Sequence, residues 1–277
     1  MEIKSETDYA KHHIQKVVGI FAAMRSFANE LKSNNHNLIY LSLNDKSNLQ
    51  SFSNNIQNLI LEHQFTHFEY QLPDEYRVDQ DLIELCNTIS IPSNSVDSEH
   101  FFTSRNELGD FFQGKKTFLM ESFYRAMRKK HKLLMEGDQP LTGKWNYDSD
   151  NRKKLPKDHK PTSPLVFNNN VSDILIEINK TDIKTIGSID AENFVWPVNR
   201  EQSLELLDFF ATECLPLFGS FQDAMSPNEW SIYHSRISFS MNIKLISPKE
   251  VIERVTKEWQ ERSNEIEYHQ LEGFVRQ

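Results

Sequence analysis

The sequence predicts an α/β N-terminal domain built on a parallel sheet, then a long loop and a helical second half. Three observations carry this. In the first hundred residues the apolar spacing switches repeatedly between helical and strand-like patterns. Residues Met135–Val171 are polar and hold Pro140, Pro156, Pro161 and Pro164. From Ser172 onward the chain reads as a series of helices and no strand.

Tyr9–Lys32 reads as an amphipathic helix, because Ile14, Val17, Val18, Phe21, Met24, Phe27, Ala28 and Leu31 recur at spacings of three and four. Leu38–Leu43 is a short apolar run with strand character. Leu49–His63 is helical, with Phe52, Ile56, Leu59 and Ile60 on one face. Thr66–Leu72 alternates Phe68, Tyr70 and Leu72, as a strand does. Asp74–Thr88 returns to helical spacing, and Ile89–Ile91 is a brief strand stopped by Pro92. Strands that alternate with helices favour a parallel sheet covered on both faces. Such a sheet normally opens on a strand, and here no strand precedes the first helix.

Helices follow at Thr103–Phe112 and Phe118–Leu134. Met135–Val171 is a loop long enough to be functional or a linker. The remaining helices are Ser172–Thr181, Arg200–Leu215, Ser235–Ile246, Pro248–Asn264 and Tyr268–Gln277. Pro248 suits a first helical position with Ser247 as its cap. There is no internal repeat.

Composition narrows the function. The 277 residues carry 31 Lys and Arg against 40 Asp and Glu, a net charge of −9. Eight glycines are about 3% of the chain, against a usual ~7%. With neither GxGxxG nor GxxxxGK[ST], a Gly-rich phosphate cradle has no support. Cys86 and Cys214 are too few for a disulfide framework or a four-thiolate metal site. No apolar run approaches a membrane span, and the N-terminus lacks the core of a signal peptide, so a cytoplasmic address is expected. There is no HExxH; the His12–His13 and His63/His67 pairs read as surface or capping residues, and no metal site is expected.

Charge is unevenly spread. Lys115–Lys160 hold 13 Lys and Arg against 6 Asp and Glu, a local +7 that leaves −16 for the rest. Arg125, Arg128, Lys129 and Lys132 can share one side of a helix, with Phe123, Tyr124, Trp145 and Tyr147 interleaved. Clustered cations with aromatic rings suit a nucleic acid; a solvated helix face is the competing reading. Two polar clusters stand out. Glu6, Tyr9, His12 and His13 lead into the first helix, where a parallel sheet binds ligands, or where they only cap the helix. Ser235, Arg236 and Ser238 open a later helix, as a pyrophosphate site or as ordinary capping residues.

Met120–Pro156 (MESFYRAMRKKHKLLMEGDQPLTGKWNYDSDNRKKLP) resembles the signature of prokaryotic photolyase-related proteins. These belong to the cryptochrome/photolyase family, in its iron–sulfur bacterial cryptochrome and (6-4) photolyase branch. Glu6–Leu31, Phe218–Val251 and Leu271–Gln277 resemble further family segments in the same order. The resemblance implies a Rossmann-like parallel-sheet domain lacking its first strand, followed by the beginning of an all-α flavin-binding domain. The chain is expected to be truncated at both ends. The organisation implied is an α/β antenna-type domain over 1–102, a helical linker over 103–199 with the basic loop 135–171, and an incomplete FAD-binding domain over 200–277.

The resemblance further implies light-dependent repair of damaged DNA by a flavoprotein that binds FAD and a lumazine antenna. Its 4Fe-4S cluster lies in the half absent here. Glu6 and Tyr9 match antenna-chromophore positions. His234, Ser235 and Ser238 match the segment meeting FAD, and Glu272 and Arg276 match a helix lining the flavin and DNA side. Arg125, Arg128, Lys129, Trp145 and Asn146 lie in the signature, near DNA or at a domain interface. No catalytic residue is assigned, and the chain alone is expected to show little or no repair. Two alternatives stand beside this: a cryptochrome-like blue-light photoreceptor, and a degenerate remnant that only binds a partner and holds no chromophore. Nothing in the residues specifies an oligomeric state.

Overall fold

The computed structural model describes Met1–Gln277. In chain order the elements are α1 (Ser5–Asp8), α2 (Ile14–Ser33), α3 (Phe52–His63), β1 (Phe68–Gln71), α4 (Tyr76–Thr88) and β2 (Ser93–Val96). Next come α5 (Glu107–Phe112), α6 (Met120–His131), β3 (Met135–Glu136), β4 (Gln139–Pro140) and α7 (Ser172–Asn179). The last are α8 (Arg200–Phe209), α9 (Leu215–Phe221), α10 (Ser238–Asn242), α11 (Pro248–Glu261) and α12 (Tyr268–Arg276). The chain packs as two compact units. Unit 1 comprises 1–98 and 166–199; unit 2 comprises 99–165 and 200–277. No helix is long and apolar enough to cross a membrane.

Unit 1 is mixed α/β with a small parallel sheet. Strands β1 and β2 pair in parallel, Phe68 opposite Ser93 through Gln71 opposite Val96, with α4 as the crossover. Two strand expectations are corrected. Ile89–Ile91 is not a strand; β2 starts after Pro92, whose carbonyl accepts from Phe68 N at 3.0 Å. A proline with no N–H to give is at home just before a strand. Leu38–Leu43 is not a strand either. Leu41 O accepts from Glu2 N, but Leu43 N donates to the Glu2 carboxylate instead of to a ladder.

The unit 1 core is Ile14, Val17, Val18 and Phe21 of α2 against Ile174 and Ile178 of α7, with Leu43, Val171 and Phe194. Helix α2 starts at Ile14 rather than near Tyr9, because the His13 side chain caps it by accepting from Gln15 N. A buried ion network fastens the N-terminus. Glu2 is inaccessible and takes two bonds from Arg25, one from Tyr40 and one from Leu43 N.

Unit 2 is mainly helical; its strands are the two-residue antiparallel pair β3–β4, and 141–165 and 222–237 are largely irregular. Helix α8 runs through a wide π-type turn, Phe210–Cys214, straight into α9, so the expected Arg200–Leu215 helix reaches Phe221. Pro216 explains the widening. It has no N–H for Thr212 O and its ring would strike that carbonyl. Thr212 O accepts from Arg262 instead, at 3.0 Å. Helix α9 packs closely on α12: a Cβ on Gly219 would lie 2.7 Å from Gln270 Cα. Phe210, Phe218 and Phe274 meet ring to ring there. Ser247 caps α11 as expected, and Glu250 completes a reciprocal cap.

Candidate functional site

In unit 1 a cavity of about 290 Å³ opens beside the start of α2. Its apolar wall includes Ile3, Val17, Ile20, Phe21 and Met24, and its polar lining is Glu6, Thr7, Tyr9, His12 and Lys16. Glu6 comes from α1 and Tyr9 and His12 from the turn before α2, so the short α1 brings these side chains together. The Glu6 carboxylate is held by Arg77 of α4, which donates to both oxygens at 2.8 and 2.6 Å. The same guanidinium lies 4.4 Å from the centre of the Tyr9 ring. Tyr9 is 53% exposed and meets the His12 ring edge-on at 4.8 Å. Lys16 Nζ sits 3.2 Å from His12 Nδ1. Burial, and then the Lys16 charge, push the His12 imidazole below its usual pKa, with a weaker opposing pull from Glu6.

In unit 2 the signature segment folds around Arg128. This residue is 1% exposed. Its guanidinium donates to the carbonyls of Leu133, Leu134 and Trp145 and to the hydroxyls of Tyr124 and Tyr268. Leu134 adopts a positive φ of 54°, as does Lys132 at 53°, which turns the chain back so that these carbonyls face the cation. Arg128 thus spends its donors on groups inside the unit. Trp145 is half-buried with three cations around its ring, Arg128 at 5.2 Å, Arg125 at 5.3 Å and Lys129 at 5.7 Å. Arg125 and Lys129 are exposed, Arg125 pairing with Glu121 one turn earlier, and Asn146 is half-buried.

Glu272 adjoins this cluster and is fully buried. It accepts from Tyr124 OH at 2.8 Å and Tyr147 N at 3.1 Å. Burial raises its carboxyl pKa above the ordinary range, against the pull of these donors and of Arg276. Arg276 reaches Asp148 at 2.9 Å. Both residues thus bind the Tyr147–Asp148 loop to α12.

The Ser235–Ser238 segment differs from its expected form. Helix α10 has only five residues and begins at Ser238, because Arg236 takes a positive φ of 56° and breaks any earlier start. Arg236 turns inward to Leu165 O at 2.8 Å and lies over Trp230. His234 is exposed, with Nε2 3.1 Å from Gln222 O; Ser235 is half-buried and Ser238 exposed. Nearby, Asn151 is fully buried and both polar atoms of its amide lack a partner, as does Gln222 Oε1. A Cβ on Gly273 would lie 2.6 Å from Asn151 Nδ2 and 3.1 Å from Gln222 Oε1, so a side chain there would displace these amides. No group of three His, Cys, Asp or Glu is placed to hold a metal. Cys214 is buried, which pushes its thiol up to about 11 and makes it a poor nucleophile.

Residues 1–194 match the family of deoxyribodipyrimidine photo-lyase-related proteins. The chain belongs to that family. It is 30% identical over 278 residues to the (6-4) photolyase of Agrobacterium fabrum, covering 100% of this chain and 54% of that protein. It is 25% identical over 154 residues to an uncharacterized protein of Acanthamoeba polyphaga mimivirus, covering 53% of this chain and 75% of that one. The chain thus spans about half the length of the Agrobacterium relative. The photo-lyase-related match includes the unit 1 cavity and Tyr124, Arg128 and Trp145; Tyr268, Glu272 and the His234–Ser238 segment lie beyond it and rest on the pairwise likeness.

Sequence reasoning missed Arg77, the residue that organises Glu6 and Tyr9. It lies 71 positions from Glu6, and only the packing of α4 brings it there. It also missed Asn151, which no spacing rule marks.

Proposed function

We propose that this chain is the chromophore-binding part of a photolyase-like flavoprotein, acting with light on damaged DNA in the cytoplasm. One observation carries the reading: Glu6 and Tyr9, matched by family resemblance to antenna contacts, line the same cavity. At about 290 Å³ that cavity is close to the lower end of ligand pockets, mostly apolar with a few polar groups. This suits a fused heteroaromatic ring such as a lumazine. Tyr9 offers a ring face, and Arg77 fixes its position. In this reading unit 1 is the Rossmann-like antenna domain and unit 2 begins the helical FAD-binding domain.

The unit 2 residues fit a flavin nucleotide in part. The exposed His234 and Ser238, with the half-buried Ser235, offer polar contacts to phosphate or ribityl oxygens. Asn151 offers a buried amide with donor and acceptor both free. FAD, when bound, supplies the light-driven electron transfer. Glu272 and Arg276 act by holding α12 to its loop rather than by touching the cofactor. Arg125 and Lys129 present charge for a phosphate backbone. Repair of a (6-4) photoproduct requires the lesion to leave the duplex stack.

The test is a titration of the purified chain with a ribityllumazine, followed by fluorescence. Saturable binding at one site, lost in Met24→Trp where an indole fills the cavity, is the expected outcome. Absence of binding to wild type contradicts the antenna assignment.

A further inference from the structure

The small parallel sheet of unit 1 leaves the outer edge of β1 without a partner. In a parallel pair only alternate residues of a strand bond to its neighbour. Phe68 N donates to Pro92 O at 3.0 Å and Leu72 N to Val96 O at 2.9 Å, so Phe68, Tyr70 and Leu72 serve the ladder to β2. The N–H and C=O of Glu69 and Gln71 point the other way and bond to no group of the chain. Both residues are exposed. Thr66–Leu72 contains no proline or lysine, the usual guards of an open edge. A two-stranded sheet is also marginal until further strands join it.

This strand is complementary to itself. Turned antiparallel about Tyr70, the midpoint of Phe68–Leu72, it sets Phe68 opposite Leu72 and Glu69 opposite Gln71 of a second copy. Glu69 and Gln71 then exchange the backbone groups that are free, and the two Tyr70 residues face each other in the close position between them. In each copy the Phe68 and Tyr70 rings stack on one half-buried face, with centroids 5.6 Å apart. Pairing joins the two stacks, and cross-strand aromatic pairs stabilise a sheet. The opposite face sets a carboxylate against an amide. A register centred on Glu69 would set like charges together instead. One centred on Phe68 would set Gln71 against Phe65, next to the left-handed Gln64, where the strand has not begun. The flanks also match. Phe65 is 46% exposed and Tyr76 76% exposed, and the two-fold axis carries each toward the other across the copies.

We propose that β1 is a homodimerisation edge. Two copies pair antiparallel through it, making one continuous sheet in the order β2–β1–β1–β2 with the same patch used on both sides. An edge this short gives a weak dimer that forms with rising concentration. The proposal is independent of any chromophore.

The experiment is sedimentation equilibrium of the full chain over a range of concentrations, with amide hydrogen exchange at both ends of the range. The expected result is a monomer–dimer equilibrium in wild type. Exchange at Glu69 and Gln71 should slow with concentration, while Phe68 and Tyr70, bonded to β2 in either state, should not change. Glu69→Pro removes an N–H that faces outward and costs the ladder to β2 nothing. It takes one backbone hydrogen bond from each copy and should raise the dimer dissociation constant at least tenfold. A wild type that stays monomeric at every concentration overturns the proposal. So does a dimer whose dissociation constant is unchanged in a folded Glu69→Pro, or one that leaves exchange at Glu69 and Gln71 unaltered. A thermal melt shows whether Glu69→Pro folds; if it does not, the wild-type exchange pattern decides.

Discussion

Of the three carboxylate–arginine–tyrosine clusters in this chain, Glu2 with Arg25 and Tyr40 fastens the N-terminus, and the other two do opposite things. In unit 1, Glu6 and Tyr9 line a cavity and Arg77 holds them, each of the three partly open. In unit 2, Glu272, Arg128 and Tyr124 are sealed between α6, α12 and the loop after β4, with every carboxylate oxygen and most guanidinium nitrogens bonded to the protein. The residue types are the same. What separates a ligand-ready cluster from a structural one is burial and the number of bonds already made.

The largest expected effect lies in the sealed cluster. Replacing Arg128 by Met leaves Glu272 buried without the nearby cation and strands three carbonyls. Breaking a buried charge network of this kind costs on the order of 3–5 kcal/mol. Urea denaturation should show that loss, and the comparison breaks if Arg128→Met melts like wild type.

Next is the pH response of Glu272. Its carboxyl pKa is raised on folding from an ordinary 4.5, so the native state holds its proton more tightly than the unfolded one. Stability from this group is therefore present at low pH and falls as pH rises from about 4.5 through the folded pKa. Glu272→Gln, which cannot ionise, should lack that decline. The difference in unfolding free energy between the two proteins should grow in favour of the variant across this window. A difference independent of pH would show that Glu272 is not the buried acid described.

How much of this was legible in the sequence depends on range. The α2 helix with Ile14, Val17, Val18, Phe21 and Ala28 buried, and the Ser247 cap, were readable, because helix period and capping chemistry are local, although Phe27 of the same stripe is exposed. The sealing of Arg128 was not. A cation at one face of a basic helix looks solvated until Leu133, Leu134 and Trp145 are known to aim their carbonyls at it. Leu38–Leu43 failed as a strand for a similar reason: the Glu2 carboxylate, some forty residues away, captures Leu43 N. Helix α10 was over-extended because nothing in Ser235–Ile246 announces a positive φ at Arg236. Tyr9 and Glu6 were readable as a pair only through family resemblance; Arg77 needed the packed fold.

The smallest expected effect on stability belongs to the open cluster. Arg77→Met breaks a partly exposed ion pair and should cost less than about 1 kcal/mol. It should nonetheless weaken chromophore binding several-fold, because Tyr9 and Glu6 lose the group that orients them. A large stability loss with unchanged binding would reverse the roles assigned to the two clusters.

The central claim, that the open cluster and not the sealed one is the ligand site, is tested most directly by titrating a ribityllumazine into wild type, Tyr9→Ala and Tyr124→Phe. The expected result is one saturable site in wild type, retained in Tyr124→Phe and lost or much weakened in a folded Tyr9→Ala. Binding that survives Tyr9→Ala unchanged, or that disappears in a folded Tyr124→Phe, would contradict it.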